Sequence, residues 1–155
     1  MQLKTLYFLF LAGESIWIVL IVLTPYVSAR GYQARSEVLY YCFSFVCHQN
    51  PERSLFFWGA QVPVCARDFS LYVGALLGTA AYPRTRNIHN PAMPPAIVLG
   101  ALLLPMALDG VTQFLGLRES TTLLRCITGF LAGLVVPMVI LPLMAASTPS
   151  DQNTE

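Results

Sequence analysis

The sequence predicts an all-α fold: a polytopic transmembrane bundle of about four helices with a short interfacial or re-entrant helical segment. Three observations predict it. Apolar residues make up 55% of the 155-residue chain and charged residues 11%, too little charge to cover the surface of a soluble domain. The apolar residues fall in blocks, most of them close to the ~20 residues that a bilayer crossing takes. Tyr40, Tyr41, Phe56, Phe57 and Trp58 gather in one stretch, and these residue types settle at the headgroup level.

The elements follow in order. A single membrane domain over residues 1–146 suits the length. Residues 6–27 form the first span; the stretch is longer than a signal-peptide core and contains Glu14, so it is expected to be retained. Residues 38–58 read as the interfacial segment, because their apolar run is too short to cross. The second span, residues 69–82, is short and is stopped by Arg84 and Arg86. Residues 96–115 and 121–145 complete the bundle, with Pro105, Pro137 and Pro142 inside them, tolerated where neighbours satisfy the freed carbonyls. Residues 147–155 read as a disordered polar tail. Gly74 and Gly78, and Gly129 and Gly133, are each four apart, a spacing that lets helix backbones touch, within the bundle in preference to a dimer face.

Lys4, Arg84, Arg86 and His89 place both termini on the cytoplasmic side of a prokaryotic cell membrane. Arg30, Arg35, Arg53 and Arg67 then fall outside and oppose that rule unless a folded cap holds them. A net charge of +1 without long basic runs excludes nucleic acid as a partner; the lipid bilayer is the partner expected.

The polar residues concentrate at one end of this scheme. Cys47, His48, Gln49, Arg53, Cys65, Arg67 and Asp68 precede the second span; Asp109 and Gln113 end the third; Arg118, Glu119 and Ser120 form the next loop; Arg125 opens the fourth. Charges inside spans need partners, so Asp109 is expected to pair with Arg125 or Arg118. Surplus arginine at a membrane surface points to an anionic ligand, a lipid headgroup or small anion, held by Arg53, Arg67, Arg118 and Arg125 with Gln113. Cys47, His48, Cys65 and Asp68 are residue types that bind zinc, although adjacent Cys and His seldom serve one metal. Cys47 and Cys65 have two other fates, a disulfide or buried free thiols. Asp109 and His48 are the candidates for acid–base work, and the residues suit an enzyme or a binding protein alike. A second reading is a transporter or channel subunit in which Glu14 and Asp109 line an aqueous path, which requires a homo-oligomer because four short helices enclose little space. A third is an assembly subunit whose polar residues only fix packing.

Cys47-His48-Gln49-x-Pro51-x-Arg53-Ser54, Pro63-Val64-Cys65-Ala66-Arg67, Tyr72-x-Gly74, Asp109-Gly110-x-x-Gln113-x-x-Gly116-x-Arg118-x-Ser120 and Arg125-x-x-Thr128-Gly129 together resemble a prokaryotic family of predicted small membrane proteins, domain of unknown function 2085. The resemblance covers residues 38–133. In the family pattern a second cysteine commonly follows the Cys-Ala-Arg segment; here that position is Asp68, so a Cys-x-x-Cys pair is incomplete, although aspartate is also a residue type that zinc accepts. The resemblance implies a shared polar site and no particular activity.

Overall fold

The structure, a computed structural model, describes residues 2–148. Its elements are α1 (Leu3–Ala29), α2 (Gln33–Ser44), a 3-10 turn (Pro51–Arg53), strands β1 (Ser54–Phe57) and β2 (Ala60–Cys65), α3 (Ala66–Thr85), α4 (Ala96–Phe114) and α5 (Thr122–Ser147). The expected polar tail beyond residue 148 lies outside the described residues.

Among the described residues three helices, α1, α4 and α5, are long and apolar enough to cross a membrane. The expected count of about four is not confirmed by this measure. The difference is α3: it has 20 residues, but Arg67 and Asp68 open it and Arg84 closes it. Glycine and alanine fill much of its middle, which fits it for tight contact.

That contact is made with α5. A Cβ added at Gly129 would fall on the Arg67 carbonyl, one at Gly133 on the Leu71 carbonyl, and one at Gly74 on the Phe130 carbonyl. Gly78 faces Pro137 and Leu134. Residue numbers rise together along both helices, so α3 and α5 run parallel with their backbones touching. The paired glycine spacings thus serve packing inside the bundle, as small residues do where van der Waals contact drives association. α1 runs antiparallel to α3: the Tyr7 hydroxyl donates to the Thr79 carbonyl at 3.0 Å, and Trp17 meets Tyr72 edge-on with ring centroids 5.9 Å apart.

The segment expected to be an interfacial helix over residues 38–58 differs. The helix α2 begins earlier and ends at Ser44, and residues 54–65 form an antiparallel hairpin, so the fold is mostly helical with a small two-stranded sheet in place of all-α. The hairpin pairs Phe57 with Ala60 across Trp58 and Gly59, whose φ angles are 52° and 79°. Positive φ at both central residues is the pattern of a type I′ turn, whose usual signature is Asn-Gly or Asp-Gly. Tryptophan in the first position hid the turn inside an aromatic run. Pro63 lies within β2; a two-stranded sheet consists of edges, where proline is accommodated.

The hairpin and α2 form a cap over the C-terminal half of α1. Val62, Val64, Ile21, Phe43 and Cys47 are buried together there, with Trp17, Phe57 and Phe69 packed around them. At the opposite end Tyr7, Tyr82 and Leu141 make a second cluster. The cap core fixes where β2 ends, and β2 passes into α3 without a loop.

Crowding at the α3–α5 contact makes small-to-large changes costly. Gly133→Ala and Gly74→Ala are each expected to destabilise the bundle by about 1–3 kcal/mol, whereas Gly100→Ala, whose Cβ would meet nothing within 4 Å, leaves stability unchanged. Unfolding of the detergent-solubilised variants measures this; equal midpoints for Gly133→Ala and Gly100→Ala would contradict the contact.

Candidate functional site

The site lies at the cap end, where β2 enters α3. Cys65 is the N-cap of α3, and its sulfur accepts the backbone N–H of Asp68 at 3.5 Å. The N–H of Cys65 in turn donates to the Cys47 sulfur at 3.2 Å. Helix entry therefore joins two cysteines 18 residues apart. Both are free thiols. Donor atoms of Cys47, Cys65 and Asp68 lie within 4.8 Å of one another, a grouping able to hold a metal ion. The Cys65 thiol hydrogen-bonds to Cys47 and, with the N–H groups around it, outweighs burial and lowers the Cys47 pKa to about 7. The same hydrogen bond, together with burial, raises that of Cys65. The two thiols titrate as a pair, one proton leaving easily and the second held.

His48 is exposed and stands apart from this three-residue group. The backbone between them explains why. Gln49 has φ 50°, its side-chain amide donates to the Tyr40 carbonyl at 2.6 Å, and its carbonyl accepts from the Gln61 amide at 2.6 Å. Gln61 also donates to Ser54 Oγ, which donates to the Asn50 carbonyl. Gln49 thus pins the loop to α2 and the hairpin, turning Cys47 inward and leaving His48 outside.

Asp109 organises the charged part. It is 1% exposed in α4 and its carboxylate is fully engaged. Oδ2 accepts from Arg67 and from Ser120 Oγ at 2.8 Å; Oδ1 accepts from Arg118 at 2.8 Å. Arg67 also reaches Gln113 Oε1 at 3.4 Å, and Arg118 Nε donates to Thr112 Oγ1 at 3.2 Å. Of the two partners expected for Asp109, Arg118 is present and Arg125 is not. Arg67 takes its place, from a helix 42 residues away in sequence. The glycine contact brings it there, by setting the first turn of α3 against the first turns of α5. Ser120 is the further partner whose role sequence reasoning did not single out.

Arg125 is 6% exposed. Its neighbours include the charges of Arg53 and Arg67, which repel it, and that of Asp109, which attracts it. Neither Arg125 nor Arg53 has an ion-pair partner among the described residues. Arg67 Nε is buried with no hydrogen-bond acceptor. Glu14 does not join this group; it faces a separate cleft lined by Phe10, Trp17 and Tyr72.

Residues 47–139 match the family model described as a predicted membrane protein, domain of unknown function 2085. The chain belongs to this family. The matched segment opens at Cys47 and contains the thiol pair, Asp68, Asp109 and all the arginines of the site. The chain is also similar to an uncharacterised protein of Methanocaldococcus jannaschii, 41% identical over 90% of this chain and 93% of that one. An uncharacterised protein of Methanothermobacter thermautotrophicus is 40% identical over 59% of this chain and 81% of its own length. No solved structure matches. Family membership and three membrane-length apolar helices make this a membrane protein.

The burial of Asp109 makes its removal expensive, because one carboxylate answers two guanidiniums. Asp109→Asn is expected to cost about 3–5 kcal/mol by leaving Arg67 buried and uncompensated. Arg118, 45% exposed in its side chain, is expected to cost about 0–1 kcal/mol on change to Gln. Chemical unfolding of the two variants checks the order, and equal losses would contradict the assigned geometry.

Proposed function

We propose that the cap end binds a phosphate-bearing anion, either a lipid headgroup or a free phosphate, beside a metal ion held by Cys47, Cys65 and Asp68. The observation that carries this reading is Arg125. Arg125 is 6% exposed as a residue and has neither an ion-pair partner nor a carboxylate of its own among the described residues, so its guanidinium is left for another acceptor. Asp109 is fully used by Arg67, Arg118 and Ser120, which leaves Arg125 and the exposed Arg53 free to hold an external anion. Arg67 Nε adds a buried donor awaiting an acceptor. Bidentate recognition of phosphate oxygens is what guanidinium forks do best. Gln113 Oε1 accepts from Arg67 Nη2, the same nitrogen that reaches Asp109.

Two thiols and a carboxylate suit zinc, and three protein ligands leave the fourth coordination position open, as in catalytic zinc sites. Backbone N–H groups on both sulfurs orient them and stabilise thiolate charge. A zinc ion bound there supplies a Lewis acid next to the anion. His48, exposed and apart from the three donors, is not needed as a ligand. Asp109 is a positioning residue in this reading: Arg67, Arg118 and Ser120 occupy both of its oxygens, which leaves none free to act as a base.

The test uses the purified full chain in phosphatidylcholine nanodiscs, with phosphatidic acid or inorganic phosphate added in turn. The stabilising ligand is expected to raise the unfolding free energy by about 2.7 kcal/mol at a hundredfold excess over its Kd, and Arg125→Gln and Arg53→Gln each to remove that gain. Stabilisation by phosphatidic acid alone identifies a headgroup; stabilisation by both identifies phosphate itself. Metal analysis is expected to find one zinc, lost in Cys65→Ser and kept in His48→Ala. The anion reading fails if neither ligand stabilises the wild type, and the metal reading fails if zinc is absent or survives Cys65→Ser.

A further inference from the structure

A second polar feature lies within the apolar helices, away from the cap-end site. Glu14 sits near the middle of α1, a helix of 27 residues. Both of its carboxylate oxygens are buried without a hydrogen-bond partner. The Thr79 hydroxyl lies near it, yet Thr79 Oγ1 is also unpaired. Glu14 has no ion-pair partner among the described residues, and no basic side chain acts on it. In an apolar medium such a carboxyl group is balanced by a proton or by a cation from outside.

The surroundings favour a cation of a particular kind. Glu14, its two oxygens covered, borders an open cleft of about 560 Å³ between α1, α3 and α5, with Phe10, Trp17, Leu71, Tyr72 and Val136. The volume falls in the range of small-molecule sites. Three of the lining side chains are aromatic, and rings with one carboxylate are the chemistry that holds organic cations. A hydrated metal ion gains nothing from apolar walls and finds a single carboxylate in place of a full oxygen shell. The Trp17 indole N–H, also unpaired, takes no part in holding a positive charge; the ring does.

We propose that this cleft is a binding site for lipophilic organic cations, with Glu14 as the counter-charge and Phe10, Trp17 and Tyr72 as the walls. The site stands apart from the cap-end anion site: it lies mainly on α1, outside the 47–139 family match. Gly13 also lines it, and a Cβ there meets nothing within 4 Å, so a larger side chain at this position occupies the cleft without disturbing the bundle.

The test is Trp17 fluorescence in the detergent-solubilised full chain on a Trp58→Phe background, which leaves one tryptophan of two. Tetraphenylphosphonium is expected to quench it saturably, and tetraphenylborate, of the same shape and opposite charge, is not. Glu14→Gln is expected to weaken phosphonium binding at least tenfold, Gly13→Leu to abolish it with helix content unchanged, and Arg125→Gln to leave it as it is. Equal binding of the two tetraphenyl ions, or unchanged affinity in Glu14→Gln, overturns the proposal. Loss in Arg125→Gln alone would assign the binding to the cap-end site instead and overturns it equally.

Discussion

Gly129 of α5 lies directly on the Arg67 carbonyl of α3, and the rest of the cap end hangs on that contact. Within a bilayer, exclusion from water does not press helices together; close van der Waals contact does, and small residues allow it. Gly74, Gly129 and Gly133 remove the side chains that would hold α3 and α5 apart. The start of α3 is therefore set against the first two turns of α5. Arg67 in the first turn of α3 and Arg125 in the first turn of α5 become neighbours, and Asp109 at the end of α4 comes within reach of Arg67. Packing of the least functional residue type in the chain thus assembles the most highly charged place in it.

The second consequence concerns α3 itself. A helix that carries Arg67 and Asp68 at its N-terminus and rests on glycine cannot also be a strongly apolar span. Its charges are needed where β2 delivers them. Cys65 serves at once as strand end, helix N-cap and thiol, so the local rule for starting a helix also brings a sulfur beside Cys47 and Asp68. The hydrogen bonds that Gln49 and Gln61 make to the backbone hold this junction from the other side.

Much of this was legible in the sequence. The long apolar helices announced themselves by length and composition, and the glycine spacings pointed to backbone contact within the bundle. The gathering of Arg67, Arg118, Gln113 and Asp109 followed from placing all polar residues at one end. The hairpin was not legible, because Trp58 occupied a turn position that asparagine or aspartate normally marks and lay in an aromatic run that suits a membrane interface. The partner of Asp109 was only half legible: Arg118 is nine residues away, whereas Arg67 is brought in by a helix–helix contact that no local pattern encodes. The separation of His48 from Cys47 depends on the positive φ of Gln49, which a sequence does not display.

Two opposite chemistries result in one small bundle, arginine without carboxylate at the cap end and carboxylate without base in the α1 cleft. The first depends on helix packing more than on any single charge, and that dependence is the central claim. Gly129→Ala removes no charged group and adds one methyl at the Arg67 carbonyl. Phosphatidic acid binding to this variant in nanodiscs, with circular dichroism confirming intact helices, tests it most directly. Affinity is predicted to fall at least tenfold as Arg67 and Arg125 are pushed apart; wild-type affinity in a folded Gly129→Ala protein would contradict the claim.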